Sequence, residues 1–487
     1  MERDRWSSKL IFIFAAVGSA VGLGNIWRFP YLAAKYGGGA FLIPYLVMLL
    51  LIGIPLLILE FAIGQRMQVG AVGSFSRIKQ RLSSIGFGAV LSGFIVVSYY
   101  AVVMAWCLLY IFYSFGLKWG ADTKGFFFSN VLHISPNISQ MGTVSVPILL
   151  ALIVVWALIY FSIWKGVKSV GQVVLVTMPL PVILLIVLLI RGITLPGAID
   201  GILLYLKPNF KALLDIEVWQ AAMSQIFFTL SLAFGIMIAY ASYQHEKSDI
   251  SKSAITTSLL NSGISIVAGF AVFSTLGYMA QSSGVPLQEL AQSSGPSLAF
   301  VVFPKALSMM PFAAVFAVSF FVMLITLGID SAFSLVEAVA TVVHDKYPHV
   351  KREHVSLWVS VAGFLTGIVF TTNAGLYYLD IVDHFITSYG LVLVGILETL
   401  AVGWLYGAAK LRTYINEVSD IKIGIWWDVL IKLVIPVLLV LLFISGIYKD
   451  FSQVYGGYPA KYVAIFGWGM LFVVLLASVF LSLFSEE

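Results

Sequence analysis

The chain has 487 residues, of which 60% are hydrophobic and only 10% charged, with a mean hydropathy of +0.99. A soluble domain carries about a quarter charged residues, so the composition excludes the soluble enzyme classes and describes a membrane protein without a soluble domain. The net charge of +5 is no nucleic-acid footprint, because the basic residues sit in short loops, and the one cysteine, Cys107, excludes an intramolecular disulfide framework and any CxxC site.

Apolar runs of about 20 residues read as membrane-spanning helices. Twelve are predicted, centred near 22, 53, 100, 156, 180, 230, 267, 325, 363, 394, 438 and 473. The first is too long for a cleaved leader and contains Arg28. Within it, AAVGSAVGLGNIWRFP (positions 15–30) carries Gly18, Gly22 and Gly24, followed by Asn25, Arg28 and Pro30. Exposed backbone and charge are tolerated at membrane depth only where they line a cavity or are buried in protein. The segment therefore predicts a broken helix built around a polar ligand. The loop from Arg66 to Arg81 holds four basic residues and no acid. With the N-terminus inside, 17 of the 28 Lys and Arg residues fall in inside segments, so both termini are expected in the cytoplasm. The loops near 118–146, 191–215 and 282–304 are longer and rich in Pro, Asn and Ser, and are expected to fold over an outer entrance.

The sixth run, from Trp219 to Tyr243, carries Ser224, Gln225, Thr229, Ser231 and Gly235 near its centre. A pair of interrupted helices in corresponding halves is the best sequence pointer to a transporter binding site. The halves are spans 1–5 (about 10–191) and 6–10 (about 216–408), inverted because five is odd. Spans 11 and 12 (about 426–484) fall outside the two halves, and residues 1–487 are expected to form a single membrane transport domain. Close helix packing explains small residues such as Gly18 and Gly22, which form a GxxxG, but not Asn25 and Arg28 beside them. The eighth run, Phe321 to Val339, carries Asp330 flanked by Gly328 and Ser331. A lone intramembrane carboxylate costs roughly 2.5–3.5 kcal/mol on insertion scales and needs a basic residue, a proton or a metal cation. Carboxylate, hydroxyl and carbonyl oxygens suit a hard cation, and the absence of His and Cys argues against zinc or copper. A proton relay is the competing reading of Asp330.

VGSAVGLGNIWRFPYLAAKYGGGAFLIPY, QIFFTLSLAFG and LGIDS resemble the neurotransmitter:sodium symporters, in particular their prokaryotic amino-acid symporters of the leucine-transporter type. The similarity runs from about Trp6 to the tenth span. It implies an all-α polytopic membrane protein of twelve transmembrane helices, with two inverted five-helix repeats, broken helices 1 and 6, and helices 11 and 12 peripheral. In such proteins a substrate carboxylate meets the unwound first helix, here Ala20, Gly22 and Gly24, and the hydroxyl of Tyr100. The implied side-chain pocket is Val96, Phe228, Ser231, Phe234, Ser334 and Leu335, with Thr229 and Ser331 also in the substrate set. One sodium takes Ala20, Asn25, Thr229 and Asn261; a second takes Gly18, Val21, Leu327, Asp330 and Ser331.

Monoamine-binding members place an acid where Gly22 stands, so the resemblance implies a neutral, hydrophobic amino acid as substrate. Arg28 and Asp383 are implied as an outer salt-bridge gate, with Phe228 and Tyr100 as the lid beneath. Arg3 and Asp345, braced by Ser242 and Tyr243, are the implied inner gate. Ser265 stands where chloride-independent bacterial members carry an acid. With Tyr45, Gln225 and Thr229 it supplies donors, and a chloride site is expected there. Glu60 and Glu398 read as buried structural acids, paired or protonated. The implied function is sodium-coupled symport across the cell membrane by alternating access, with spans 1, 2, 6 and 7 rocking as a bundle. The partners are an amino acid and the lipid bilayer, with no nucleic acid. A proton-coupled permease and a non-concentrating channel or sensor are the alternatives on the same scaffold.

Overall fold

The computed structural model describes residues 4–293 and 295–484 and is helical throughout its membrane-length elements. Among the described residues ten helical segments are long and apolar enough to cross a membrane, and one bent pair supplies an eleventh. In chain order the first three are α1 (Lys9–Ala20) and α2 (Leu23–Lys35), bent by 54° at their junction, and α3 (Gly38–Met67). Next come α4 (Gln80–Ser114), α5 (Val146–Ile163) and α6 (Val167–Ile193). The sixth predicted span is not a continuous helix. It consists of α7 (Ile216–Thr229) and α8 (Ile236–Ala241), each too short to cross alone, separated by residues 230–235. Then follow α9 (Ile250–Ser283), α10 (Ala313–Lys346), α11 (Arg352–Thr371), α12 (Gly375–Val418), α13 (Ile425–Gly457) and α14 (Ala460–Leu483).

Local chemistry sets several of these boundaries. Ser8 caps α1 by accepting from Ile11 N, Asp215 caps α7 by accepting from Glu217 N at 2.9 Å, and Asp249 caps α9 through Lys252 N at 2.9 Å. Gly284, at φ +73°, ends α9 in the left-handed conformation that glycine adopts without strain.

Two groups of helices emerge from the packing. α4 and α10 make the most extensive helix–helix contact. Around them α3 packs on α7, α8 and α9, and α9 also packs on α1 and α2, so the two broken spans share one bundle with α3 and α9. Burial sorts the helices further. In the most apolar stretch of α3, 78% of residues are buried, against 22% in α13 and 28% in α14. α6 is as exposed as α13, at 22%, so the lipid-facing periphery includes the fifth span as well as the predicted eleventh and twelfth. Rows of exposed Leu, Ile, Val and Phe on these helices make a surface suited to acyl chains rather than water.

Candidate functional site

The break between α1 and α2 redirects its own hydrogen bonds. Helical bonding ends with Val21 N donating to Val17 O at 2.7 Å. Gly22 N then donates to the Asn25 side chain at 2.9 Å, and Leu23 N to the Tyr100 hydroxyl at 3.3 Å. The carbonyls of Gly18, Ala20 and Val21 are thereby left without helical donors. Ser19 O instead accepts from Ser231 Oγ at 3.0 Å and Ser331 Oγ at 3.2 Å, which ties the break to the second interruption and to α10.

That second interruption is held in unusual backbone geometry. Ser231 (φ +53°), Ala233 (φ +64°) and Gly235 (φ +73°) are all left-handed, a conformation that non-glycine residues avoid. Ala233 N donates to Glu60 Oε1 of α3 at 2.8 Å, so a buried carboxyl satisfies a donor freed by the break. The other Glu60 oxygen and Glu398 Oε1 are buried without hydrogen-bond partners among the described residues.

Between the two breaks lies a cavity lined by Ala20, Gly22, Gly24, Val96, Tyr100, Phe228, Thr229, Ser231, Phe234, Ser331 and Leu335 of the predicted substrate set. Ser334 does not line it. Its hydroxyl lies 2.8 Å from Ser19 Oγ and donates to Ser331 O, one layer behind the wall, which corrects the expectation that it contacts substrate. Ser19, Leu23 and Ile236 also line the cavity. They carry no sequence signal, being ordinary small or aliphatic residues whose exposure follows only from where the helices stop. Among the described residues no acidic or basic side chain borders the cavity.

Oxygen ligands gather at its edge. Thr229 Oγ1 is 3.5 Å from Asn25 Oδ1 and 3.4 Å from Asn261 Oδ1, and Asn25 Nδ2 donates to Asn261 Oδ1 at 2.9 Å. Leu327, Asp330 and Ser331 share one face of α10 at i, i+3 and i+4. Asp330 Oδ2 lies 2.5 Å from where a Cβ on Gly18 would stand, so the carboxylate abuts the broken helix directly. Asp330 is buried, forms no ion pair among the described residues, and leaves Oδ1 without a hydrogen-bond partner. Such a carboxylate beside freed carbonyls fits a hard cation. Among the described residues no three His, Cys, Asp or Glu side chains gather into a softer or more acidic metal site.

A donor-rich cluster adjoins this edge. Tyr45 OH donates to Ser262 Oγ at 3.2 Å, Ser265 Oγ accepts from Asn25 Nδ2 at 2.7 Å, and both amide atoms of Gln225 are buried without hydrogen-bond partners among the described residues. Ser262 is an addition to the predicted set. Its signal is its place one residue after Asn261 in the polar NSGIS segment.

The model of the sodium:neurotransmitter symporter family matches residues 3–124 and 120–485. An uncharacterized sodium-dependent transporter of Methanocaldococcus jannaschii is 46% identical over 488 residues, covering 99% of this chain and 98% of that protein. The sodium- and chloride-dependent GABA transporter 2 of Homo sapiens is 41% identical over 454 residues, covering 86% of this chain and 75% of the relative; that of Rattus norvegicus is 39% identical over 459 residues. The chain belongs to the sodium:neurotransmitter symporter family. It is a sodium-dependent, multi-pass membrane transporter of a small molecule, and not an enzyme.

In this transporter the two ends of the site differ. Above the cavity, Phe228 and Tyr100 border both it and a wider vestibule that Arg28 and Asp383 line. Arg28 and Asp383 are not paired here. Arg28 donates to Ser224 Oγ at 3.0 Å and lies 5.4 Å from the Phe228 ring centroid, whereas Asp383 Oδ1 accepts from Tyr99 OH at 2.5 Å. The opposite end is tightly connected. Trp6 N and Nε1 donate to the carbonyls of Tyr243 and Tyr240 at 3.2 and 2.8 Å, and Arg5 bonds Gln68 and the Gln244 carbonyl. Asp345 accepts from Gly70 N at 2.6 Å, and Tyr243 OH lies 2.9 Å from Thr341 Oγ1. Arg3 lies outside the described residues. Ser242 is buried and donates to Ala239 O at 2.6 Å. The sequence gives no signal for one further element here, a buried ion pair between Arg352 of α11 and Glu337 of α10, whose partners lie on different spans.

Proposed function

We propose that the chain is a secondary active transporter that couples inward sodium movement to symport of a neutral amino acid by alternating access, with both termini in the cytoplasm of the cell that carries it in its plasma membrane. One observation carries this reading. Asn25 and Thr229 line the cavity between the two breaks and also belong to the oxygen cluster with Asn261. A cation held by that cluster and a carboxylate in the cavity would share a boundary, so each tightens the other, and the effect is reciprocal by linkage.

The substrate class follows from charge and space. Among the described residues the cavity wall has no ionised side chain, which suits a net-neutral zwitterion. Its carboxylate is met by the N-terminus of α2, where the helix dipole favours an anion, and by Tyr100. A Cβ at Gly22 would stand 3.0 Å from Ser331 Oγ and 3.2 Å from Tyr100 OH. An acid at that position would occupy the carboxylate's own place. Val96, Phe228, Phe234, Ile236 and Leu335 make the remaining wall apolar. The names of the GABA transporter relatives, whose substrate is itself an amino acid, are compatible with this class.

In the proposal Asn25, Thr229, Asn261 and the Ala20 carbonyl hold one sodium ion. Asp330, Ser331 and the carbonyls of Gly18, Val21 and Leu327 hold the second. Tyr45, Gln225, Thr229, Ser262 and Ser265 hold chloride, an assignment supported by the unpartnered Gln225 amide. Arg28 and Asp383 close the outer side, Asp345 and its neighbours close the inner, and spans 1–5 and 6–10 are the inverted repeats.

The test is uptake into proteoliposomes with sodium and proton gradients imposed separately, against a panel of amino acids. Concentrative uptake of at least one neutral amino acid driven by sodium alone is expected. Accumulation driven only by protons, or mere equilibration, overturns symport. With sodium held constant, replacing chloride by gluconate is expected to reduce uptake; unchanged uptake removes chloride from the proposal.

A further inference from the structure

α13 carries a cation for which the protein provides no counter-charge. Lys432 stands well inside this span, which begins at Ile425, and lies about 10 Å along the axis at 1.5 Å per residue. Only 22% of the most apolar stretch of α13 is buried, so the helix faces lipid along most of its length. A charge at that depth is costly and needs a partner. The carboxylate best placed to serve is Asp428, one turn earlier, and it is already engaged. Arg412 Nε reaches both of its oxygens, at 3.0 and 3.1 Å. Lys432 forms no ion pair among the described residues.

The neighbouring helix gives it an aromatic seat instead. Lys432 Nζ lies 5.8 Å from the ring centroid of Trp404 on α12, and Trp404 Nε1 donates to Lys432 O at 3.0 Å. The helices touch at Gly403, where a Cβ would stand 3.3 Å from Lys432 Cα. Both residues sit in wide π turns, Ala401–Gly407 of α12 and Leu430–Val434 of α13. Trp404 is 63% exposed, as suits a ring at a membrane–water interface. Helical side chains lean towards the helix N-terminus, which carries the Lys432 ammonium back towards that interface. At the same end of α12 a second cation without an ion pair, Lys410, lies 4.8 Å from the Tyr406 ring. Beside Lys432, in the other direction, Leu433, Val437 and Leu441 make an exposed apolar stripe at four-residue spacing.

We propose that Lys432 and Trp404 form a headgroup site for an anionic glycerophospholipid, whose phosphate neutralises Lys432 and whose acyl chain lies along Leu433, Val437 and Leu441. One molecule then meets each feature of the site. The phosphodiester accepts from the ammonium hydrogens that the Trp404 ring leaves free, and the chain covers the stripe that runs deeper into the membrane. Charge sets the lipid class. A choline headgroup brings its own cation and leaves Lys432 and Lys410 uncompensated, whereas a glycerol headgroup adds a net negative charge that both lysines attract. The bound lipid bridges α12 and α13 from the membrane side, beside the Arg412–Asp428 pair that already joins them.

The experiment offers the full-length protein in dodecyl maltoside equal amounts of dioleoylphosphatidylglycerol and dioleoylphosphatidylcholine, and counts single-lipid adducts by native mass spectrometry. Phosphatidylglycerol adducts are expected to exceed phosphatidylcholine adducts about fivefold, the contribution of one lysine facing an anionic headgroup. Lys432→Gln should remove most of that preference, and Lys432→Arg should keep it. Lys461→Gln is the control: Lys461 also lies over a ring, 4.8 Å from Tyr462, but near the start of α14, and its loss should leave the ratio unchanged. If Lys432→Gln is not monodisperse, Trp404→Ala carries the test, since it removes the seat and keeps the charge, and it should also lower the ratio. Equal binding of the two lipids by the unmodified protein overturns the site, and so does a ratio in Lys432→Gln, or in the substitute Trp404→Ala, as high as in Lys461→Gln. Millimolar inorganic phosphate is expected not to displace phosphatidylglycerol; displacement would assign the site to a soluble anion and overturn the lipid.

Discussion

At the scale of single residues, two glycines of the first break do different work, although the sequence writes them alike. A methyl group on Gly18 would stand 2.5 Å from Asp330 Oδ2. That separation is shorter than any van der Waals contact, and the neighbour is the buried carboxylate itself. Gly18→Ala is therefore expected to displace Asp330, and the sodium activation curve of uptake checks it: half-saturation should rise about tenfold or more, equivalent to at least about 1.4 kcal/mol. On Gly24 the nearest atom a methyl would meet is Phe228 Cε1 at 4.0 Å, across the cavity. Gly24→Ala should leave folding and sodium half-saturation unchanged while raising the substrate KM severalfold, because the methyl takes space that the ligand uses. A Gly24→Ala protein with unaltered KM for every transported amino acid would remove Gly24 from the substrate contact.

At the scale of elements, the second break needs outside support to exist. Ser231 and Ala233 in the left-handed region cost of order 1–2 kcal/mol each, and the freed N–H of Ala233 is satisfied by Glu60 alone among the described hydrogen bonds. Glu60→Ala should leave that donor buried and unpaired, at a cost of about 1–3 kcal/mol. Thermal unfolding in detergent should shift downward and uptake should be lost, whereas Glu60→Gln keeps an acceptor and should retain the stability. Equal melting temperatures for Glu60→Ala and the unmodified protein would contradict this role.

The same break marks how far the sequence could be read. Gly22, Asn25 and Arg28 betray the first interruption because lipid tolerates none of them without a cavity, and the polar cluster from Ser224 to Gly235 betrays the second. Left-handed backbone at Ser231 and Ala233 is invisible, since neither residue type favours it and the supporting acid lies on α3. Ser334 misled for a related reason. A hydroxyl near the site reads as a ligand contact, but helical phase turned it to Ser19 behind the wall. Ser19, Leu23 and Ile236 reach the cavity only because the helices end beside them.

At the scale of the whole molecule, the two ends of the transport path are in opposite conditions. On the N-terminal side Trp6 and Arg5 strap the chain onto the carbonyls at the end of α8 and beyond it, while Asp345 and the Arg352–Glu337 pair brace α10. On the vestibule side Arg28 and Asp383 hold other partners. In the proposed alternating-access cycle the strap must break when the vestibule closes, so the contacts of Trp6 would exist in one state and not in the other. A ligand that binds the vestibule-open state has its apparent affinity reduced by whatever fraction of the protein leaves that state. Trp6→Ala deletes a buried ring packed on Tyr240 at 5.4 Å between centroids together with the Nε1 hydrogen bond. If the change removes about 1.4–2.8 kcal/mol from the vestibule-open state alone, the equilibrium moves ten- to a hundredfold. Equilibrium binding of substrate in saturating sodium should then weaken by about that factor once the inward state dominates. An unchanged dissociation constant, in protein that remains monodisperse and folded, would show that the strap does not set the balance between the two states.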